Sequence, residues 1–141
     1  MPDDEWYTAT RSAWKIIPHF SSSSIPSTIR FYTKVLHFNA SDPYHGRKDF
    51  PEPTFVSVSM GYQAAANIYF FNIPEKDKAL APAKAMIAMS ADGLEDYYNL
   101  LKLEGKVHFL EDIEDKEWGY RQFEIADEDG NRLQFFRFLE S

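Results

Sequence analysis

The chain contains no cysteine, and this absence removes three chemistries at once. Without a thiol there is no disulfide bond, no zinc site built from thiolates and no cysteine nucleophile. The absence leaves the cellular compartment open, but nothing else in the sequence favours secretion.

Long hydrophobic runs are also missing. The longest, such as "NIYFFNI", are far too short to span a bilayer. The first residues, "MPDDEWYTATRSAW", are acidic and polar, whereas a signal peptide has a basic start and an apolar middle. We therefore expect a soluble, cytoplasmic protein.

Positive charge is in short supply, with 15 Lys and Arg residues against 22 Asp and Glu residues and a formal net charge of -7. A nucleic-acid backbone or an anionic membrane would be repelled by such a chain. We expect neither as a partner, and a neutral or cationic small molecule fits better. The same acidity also serves solubility alone.

Apolar residues are plentiful: the 141 residues are 44% hydrophobic and 16% aromatic. This composition predicts one globular domain with a sizeable core.

The first half of the chain has the pattern of a strand, a helix and a strand pair. "WKIIPHF" predicts a short strand near a sheet edge, and "SIPSTIRFYTKVLHF" a helix with Ser24 as N-cap and Pro26 in its first turn. After a loop, "TFVSVSM" and "ANIYFFNI" flank a short turn and predict a strand pair.

The second half repeats this order. "AMIAMS" predicts a strand, and "DGLEDYYNLLKLEG" a helix with Asp92 as N-cap and Gly105 at its end. "KVHF" predicts a short strand, "EDIEDKE" a solvated loop, and Glu117 to Phe138 a hairpin whose turn contains Gly130.

A shift of roughly 65 to 70 residues lays the two halves on each other, so the chain consists of two βαβββ units. We predict an α+β fold in which two curved mixed sheets form a cup. The predicted boundaries are an N-terminal extension over 1–13, a first unit over 14–73, a linker over 74–84 and a second unit over 85–141.

These features resemble the vicinal oxygen chelate superfamily, which includes glyoxalase I, extradiol dioxygenases and bleomycin-resistance proteins. The resemblance covers nearly the whole chain and depends on the tandem units, on "STIRFYTKVLHF" and, above all, on "WGYRQFEIADEDGNRLQFF". It is greatest with the metal-free bleomycin-resistance branch, whose members sequester a bulky antibiotic.

The resemblance also implies where a metal would be bound in the metal-dependent members. Those positions fall at Ile17, Tyr69, Met86 and Gln134. Hard divalent ions need imidazoles and carboxylates, so we predict that the chain has no metal site and no cofactor. His19 lies on the same strand face as Ile17, but one histidine is not a site.

The function that the resemblance implies is binding of a flat, bulky, neutral or cationic antibiotic or natural product. The candidate ligand-binding residues are His19, Tyr69, Trp118, Tyr120, Gln122, Gln134 and Phe136. Aromatic strand residues more often fill a core, and we place Phe123 and Phe135 there. Trp118 is the leading exception, because the resistance proteins also have a tryptophan near the ligand.

The alternative is an enzyme without a metal, such as an isomerase, cyclase or lyase acting on a natural-product intermediate. It would need a general acid or base, for which His19, Tyr69 and Glu124 are the candidates if they converge. The resemblance further implies a homodimer whose sites form between two subunits.

Overall fold

The computed structural model describes residues 2–46, 49, 51–72 and 82–139 and contains two four-stranded sheets. The helices are α1 (Pro2–Thr10), α2 (Ile25–Arg30) and α3 (Ala91–Glu104). The strands are β1 (His19–Ser22), β2 (Asn39–Ala40), β3 (Phe55–Met60), β4 (Ala66–Asn72), β5 (Lys84–Ala88), β6 (His108–Asp115), β7 (Tyr120–Ala126) and β8 (Arg132–Phe138).

The two sheets repeat one topology. Strand order is β1-β4-β3-β2 in the N-terminal sheet and β5-β8-β7-β6 in the C-terminal sheet. In each sheet the first strand runs parallel to the last, and the other neighbours are antiparallel. The predicted tandem βαβββ fold is confirmed.

Helix α2 begins as the sequence predicts. The Ser24 hydroxyl accepts a hydrogen bond from the Ser27 N–H at 3.3 Å, and Pro26 occupies the first turn, where its missing N–H has no cost. After α2 the chain continues into a π-helical turn, Phe31–Val35. This continuous helical segment buries Ile25, Thr28, Tyr32 and Leu36.

Helix α3 is capped two residues earlier than predicted. The cap is Ser90, whose hydroxyl accepts the Gly93 N–H at 3.1 Å, so the expectation of Asp92 as N-cap was wrong. Asp92 lies inside the first turn, where its negative charge suits the helix dipole. Gly105 ends the helix in the left-handed conformation with φ 67°, as predicted.

Two strand predictions need correction. β1 begins at His19 rather than Trp14, because Pro18 has no N–H to donate to a ladder. The segment predicted as a solvated loop is instead the second half of β6, which runs to Asp115. Its acidic residues lie along a sheet edge, where Lys116 and Arg121 neutralise several of them.

The predicted linker falls largely on 73–81, which lie outside the described residues, and its last residue, Lys84, begins β5. Within the described ranges, no helix has both the length and the apolarity needed to cross a membrane.

Strand alternation separates each sheet into a core face and an open face. In the C-terminal sheet, Phe123 and Phe135 are fully buried on the face that packs against α3, as predicted. The same alternation buries Val58 and Phe70 in the N-terminal sheet. Residues of the other parity therefore form the open face of each sheet.

The two units meet on their helix-bearing sides. The Tyr32 hydroxyl donates to Asp127 at 2.8 Å, and the Tyr97 hydroxyl donates to the Leu36 carbonyl at 2.6 Å. The buried residues of both units form one core. The open faces are consequently directed away from this shared core.

Candidate functional site

The N-terminal open face is an aromatic cluster of His19, Phe55, Tyr69 and Phe71. His19 and Tyr69 are register neighbours on β1 and β4, and their rings stack with centroids 5.8 Å apart. The ring centroid of Phe55, on β3, lies 5.0 Å from that of Tyr69 and 5.2 Å from that of Phe71. Two predicted binding residues therefore lie together, joined by two phenylalanines that the sequence analysis did not select.

Neutral polar groups continue this face along β3 and β4. The Asn67 amide donates to the Ser57 hydroxyl at 2.8 Å and to the Val58 carbonyl at 2.7 Å. This part of the site presents ring faces and hydroxyl groups, which suit a flat and weakly polar ligand.

The C-terminal open face has aromatic residues at one end. Tyr120 and Phe136, neighbours on β7 and β8, have ring centroids 4.8 Å apart, and Phe138 packs against both. Phe136 is largely sheltered, whereas Phe138 is 63% exposed. The strand parity opposite the core face contains Tyr120, Gln122, Glu124, Gln134 and Phe136, and the last four of these residues are only 6–8% exposed.

A chain of hydrogen bonds crosses this face from β8 to β6. The Gln134 amide donates to Gln122 at 2.8 Å, and the Gln122 amide donates to Glu111 at 2.9 Å. The other oxygen of Glu111 accepts from the Lys116 ammonium group at 2.8 Å. Burial opposes ionisation of Glu111, but the bonds from Lys116 and Gln122 bring its pKa below the ordinary value.

Glu124 lies beside this hydrogen-bond chain, and its carboxylate contacts two cationic side chains. Arg132 donates to one carboxylate oxygen at 2.8 Å, and the Lys84 ammonium group lies 3.1 Å from the other. The Glu124 residue is 7% exposed. Its contacts are those of a paired carboxylate rather than of a general base directed toward His19.

Trp118 lies apart from the predicted cluster, in the turn between β6 and β7. Its side chain is 58% exposed, and the Lys116 ammonium group lies 5.7 Å from the ring centroid. Such a cation and ring pair is weakly attractive at an exposed site. The indole is therefore placed at the rim of the C-terminal open face.

The structure brings the predicted residues together in two groups instead of one. His19 and Tyr69 share the N-terminal open face, and Tyr120, Gln122 and Phe136 share the other with Gln134 and Glu124. In the described part of the chain, the hydrogen bonds and ion pairs between units lie elsewhere, at Ser21, Ser23, Tyr32, Leu36 and His37 with their partners.

The positions that correspond to the family's metal ligands do not fit a metal. Met86 and Gln134 are register neighbours on the C-terminal open face. Tyr69 lies on the N-terminal open face, where it pairs with His19, two residues after Ile17. A thioether, a neutral amide, a phenol and an alkyl group are poor donors for hard divalent ions. Among the described residues, no three His, Asp or Glu side chains are grouped in a way that could hold a metal ion.

A further cleft lies between the segment before β1, the turn before β4 and strand β5. Its volume is ≈930 Å³, and its walls include Trp14, Met60, Tyr62, Met86 and Met89. The predicted ligand-binding residues are outside it, but Met86 joins it to Gln134 on the C-terminal open face. The cleft was not predicted, because its walls come from three separate segments.

Other residues missed by the sequence analysis are Phe55, Phe71, Lys84, Glu111 and Lys116. Phe55 and Phe71 have the same parity as the selected Tyr69 once the β3–β4 register is known. Glu111 and Lys116 lie in the segment that was predicted as a loop, so no strand parity was assigned to them. A correct assignment of β6 would have placed Glu111 opposite Glu124.

Comparison with known families agrees with this architecture. Residues 17–135 match the model of the Glyoxalase/Bleomycin resistance protein/Dioxygenase superfamily. The chain belongs to this superfamily. No curated protein sequence matches the chain.

Solved structures of superfamily type are similar in fold but distant in sequence. TioX from Micromonospora sp. ML1 is 12% identical, with a TM-score of 0.68 over 90% of this chain and 100% of that one. A glyoxalase/bleomycin resistance protein/dioxygenase from Alicyclobacillus acidocaldarius is 15% identical, with a TM-score of 0.69 over 89% and 92%. An integron cassette protein from the mobile metagenome of Halifax Harbour sewage outfall is 16% identical, with a TM-score of 0.69 over 88% and 97%. At these identities the likeness concerns the fold alone.

Proposed function

We propose that this superfamily member is a cytoplasmic protein that binds a flat, bulky antibiotic or natural product without a metal. The observation that carries the proposal is the chemistry of the two open faces. Each presents several aromatic rings beside a few polar groups, which is the usual composition of a small-molecule site.

The metal-free part of the proposal is supported by the donor set. Ile17, Tyr69, Met86 and Gln134 occupy the positions where metal-dependent relatives would supply imidazoles and carboxylates. The two carboxylates on the C-terminal open face, Glu111 and Glu124, already bind cationic side chains of this chain.

A homodimer is part of the proposal. Each open face by itself is one wall, and the two walls of one chain belong to sheets that meet on their helix-bearing sides. A second copy that places its C-terminal open face opposite the N-terminal open face would enclose a ligand between aromatic walls. A two-fold dimer would then have two equivalent sites.

Binding is tested by titration with bleomycin and with other flat cationic or neutral heteroaromatic compounds. Since Trp6, Trp14 and Trp118 are all exposed, the Trp6→Phe and Trp14→Phe double variant is used so that Trp118 alone reports. We expect saturable quenching, and elemental analysis is expected to find substoichiometric metal.

Calorimetry on single variants locates the site. Tyr69→Ala and Tyr120→Ala are expected to weaken binding about tenfold or more, because each removes a stacking surface. Trp118→Ala is expected to have a smaller effect of the same sign. Leu103→Ala, at an 85% exposed position of α3, is the matched control and should bind as wild type does.

Recovery of the ligand separates binding from catalysis. Mass spectrometry should return the compound unchanged after prolonged incubation, whereas a new product would favour the metal-independent enzyme. Stoichiometric zinc, nickel, manganese or iron that is lost with binding on chelation would overturn the metal-free proposal.

A further inference from the structure

The hydrogen-bond chain on the C-terminal open face has a fixed direction. Glu111 is an ionised carboxylate, held by Lys116, and a carboxylate can only accept hydrogen bonds. The Gln122 side chain must therefore present its NH₂ group to Glu111. Because the two ends of an amide are different, the carbonyl oxygen of Gln122 is left for Gln134.

The same argument sets the orientation of Gln134. The Gln122 oxygen can only accept, so Gln134 must present its NH₂ group to it, in agreement with the observed donor order. Among the described residues, this leaves the Gln134 carbonyl oxygen and its second N–H without a partner. The orientation follows from the charge on Glu111, two side chains away.

The Gln134 carbonyl oxygen is also within reach of a ligand. In the described part of the chain, the buried side-chain atoms that lack a hydrogen bond belong to Asn72, Glu95 and Glu124. The Gln134 oxygen accepts no hydrogen bond from the described residues and is not one of these atoms, so it keeps some solvent-accessible area, although Gln134 as a whole is only 7% exposed. It lies two residues from Phe136 on the same strand face, a separation of about 7 Å.

A flat ring that stacks on Phe136 or Tyr120 can thus place its edge against Gln134. We propose that Glu111 is a positioning residue that makes Gln134 present a hydrogen-bond acceptor, so that the site selects flat ligands with a ring N–H donor, as in lactams and imides. This inference rests on the proposed binding function. An N-methylated ring of the same shape would leave the carbonyl oxygen desolvated and unpaired, which is costly.

The direction of this hydrogen-bond chain can be measured without any ligand. In ¹³C,¹⁵N-labelled protein, scalar coupling across the hydrogen bond is expected from the Gln134 side-chain nitrogen to the Gln122 side-chain carbonyl carbon. It should disappear or become averaged in Glu111→Gln, where the anchor can both donate and accept. Coupling in the opposite direction, from the Gln122 nitrogen to the Gln134 carbonyl, would overturn the inference.

Ligand selection is measured with two probes, quinolin-2(1H)-one and its N-methyl derivative, which differ at the ring N–H. Wild type is expected to bind the N–H probe on the order of tenfold more tightly. Glu111→Gln should reduce this ratio to about twofold. Glu114→Gln is the matched control, because Glu114 also binds Lys116 but has no bond to Gln122.

The outcomes separate the two proposals. Equal affinity of wild type for both probes, or an unchanged ratio in Glu111→Gln, would overturn this inference and leave the binding function intact. Failure of both probes and of the larger heteroaromatic compounds to bind would overturn the binding function, and the ligand preference with it.

Discussion

The two units have the same framework, but their open faces differ. With a shift of 65 residues, Ile68 and Phe70 of the first unit correspond to Leu133 and Phe135 of the second, and all four are buried in the core. Between them lie Tyr69 in one unit and Gln134 in the other, on the open faces. The N-terminal face is aromatic and neutral, whereas the C-terminal face carries paired charges and an amide chain.

The comparison shows which constraint acts at each position. A core position must fill a close-packed space against a helix, so its chemistry is conserved between units by packing alone. An open position is not held to the packing of that core, so its chemistry can differ between the units. At the positions compared, the units differ on their open faces and agree in the core.

The largest expected effect on stability comes from truncating a core side chain at a strand position that is buried in both units. Phe135→Ala should lower the free energy of unfolding by about 3–5 kcal/mol, because the ring is fully buried and stacks on Phe123. Phe138→Ala, on the same strand but 63% exposed, is the control and should cost less than about 1 kcal/mol. Urea unfolding measures both, and similar losses would contradict the assignment of faces.

A smaller effect is expected from removing one of the hydrogen bonds that join the units. Tyr32→Phe removes the hydroxyl that donates to Asp127 and leaves that carboxylate with fewer partners. We expect a loss of about 1–3 kcal/mol in the free energy of unfolding. Tyr98→Phe, whose hydroxyl binds the exposed Asp112, should stay within about 0.5 kcal/mol of wild type. Equal effects in thermal unfolding would argue that the contact between units is not special.

The carboxylate Glu111 on the charged face predicts a pH dependence of stability. The folded pKa of Glu111 is lowered, so its contribution to stability is present above its ordinary pKa and is lost as pH falls through the folded value. Glu111→Gln should therefore flatten the fall in stability below about pH 5. Glu117→Gln, an exposed position, serves as control. An identical pH profile for wild type and Glu111→Gln would refute this.

The smallest expected effect is that of added metal. Zinc or nickel should change the melting temperature of chelator-treated wild type by less than about 1 °C, since the family's ligand positions lack suitable donors. The double variant Met86→His and Gln134→Glu places an imidazole and a carboxylate on register neighbours. We expect a metal-dependent rise only in this variant, and a comparable rise in wild type would disprove the prediction.

The fold could be predicted because its signals are local and repeated. The cap at Ser24, the end at Gly105 and the turn containing Gly130, with φ 83°, each depend on a few adjacent residues. β6 was missed in its second half because alternating acidic residues are typical of a solvated loop. Their pairing with Lys116 and Arg121 is a tertiary contact that the sequence does not display.

The candidate site was harder to predict than the fold. The residues selected on β7 and β8 lie on one face of the sheet, as the strand register shows, but their role in binding stays a prediction. That His19 and Glu124 belong to different faces depends on how the units pack, through contacts such as Tyr32 with Asp127. No spacing along the chain encodes that arrangement.

The parallel pairing of the first and last strands in each unit has a consequence for folding kinetics. His19 pairs with Tyr69, and Lys84 pairs with Arg132. The first strand of each unit therefore pairs with a strand about fifty residues further along the sequence. Closing such long loops delays sheet completion relative to helix formation. During synthesis, β5 cannot pair with β8 until Arg132–Phe138 has emerged, so we expect the sheet of the second unit to be completed later than its helix.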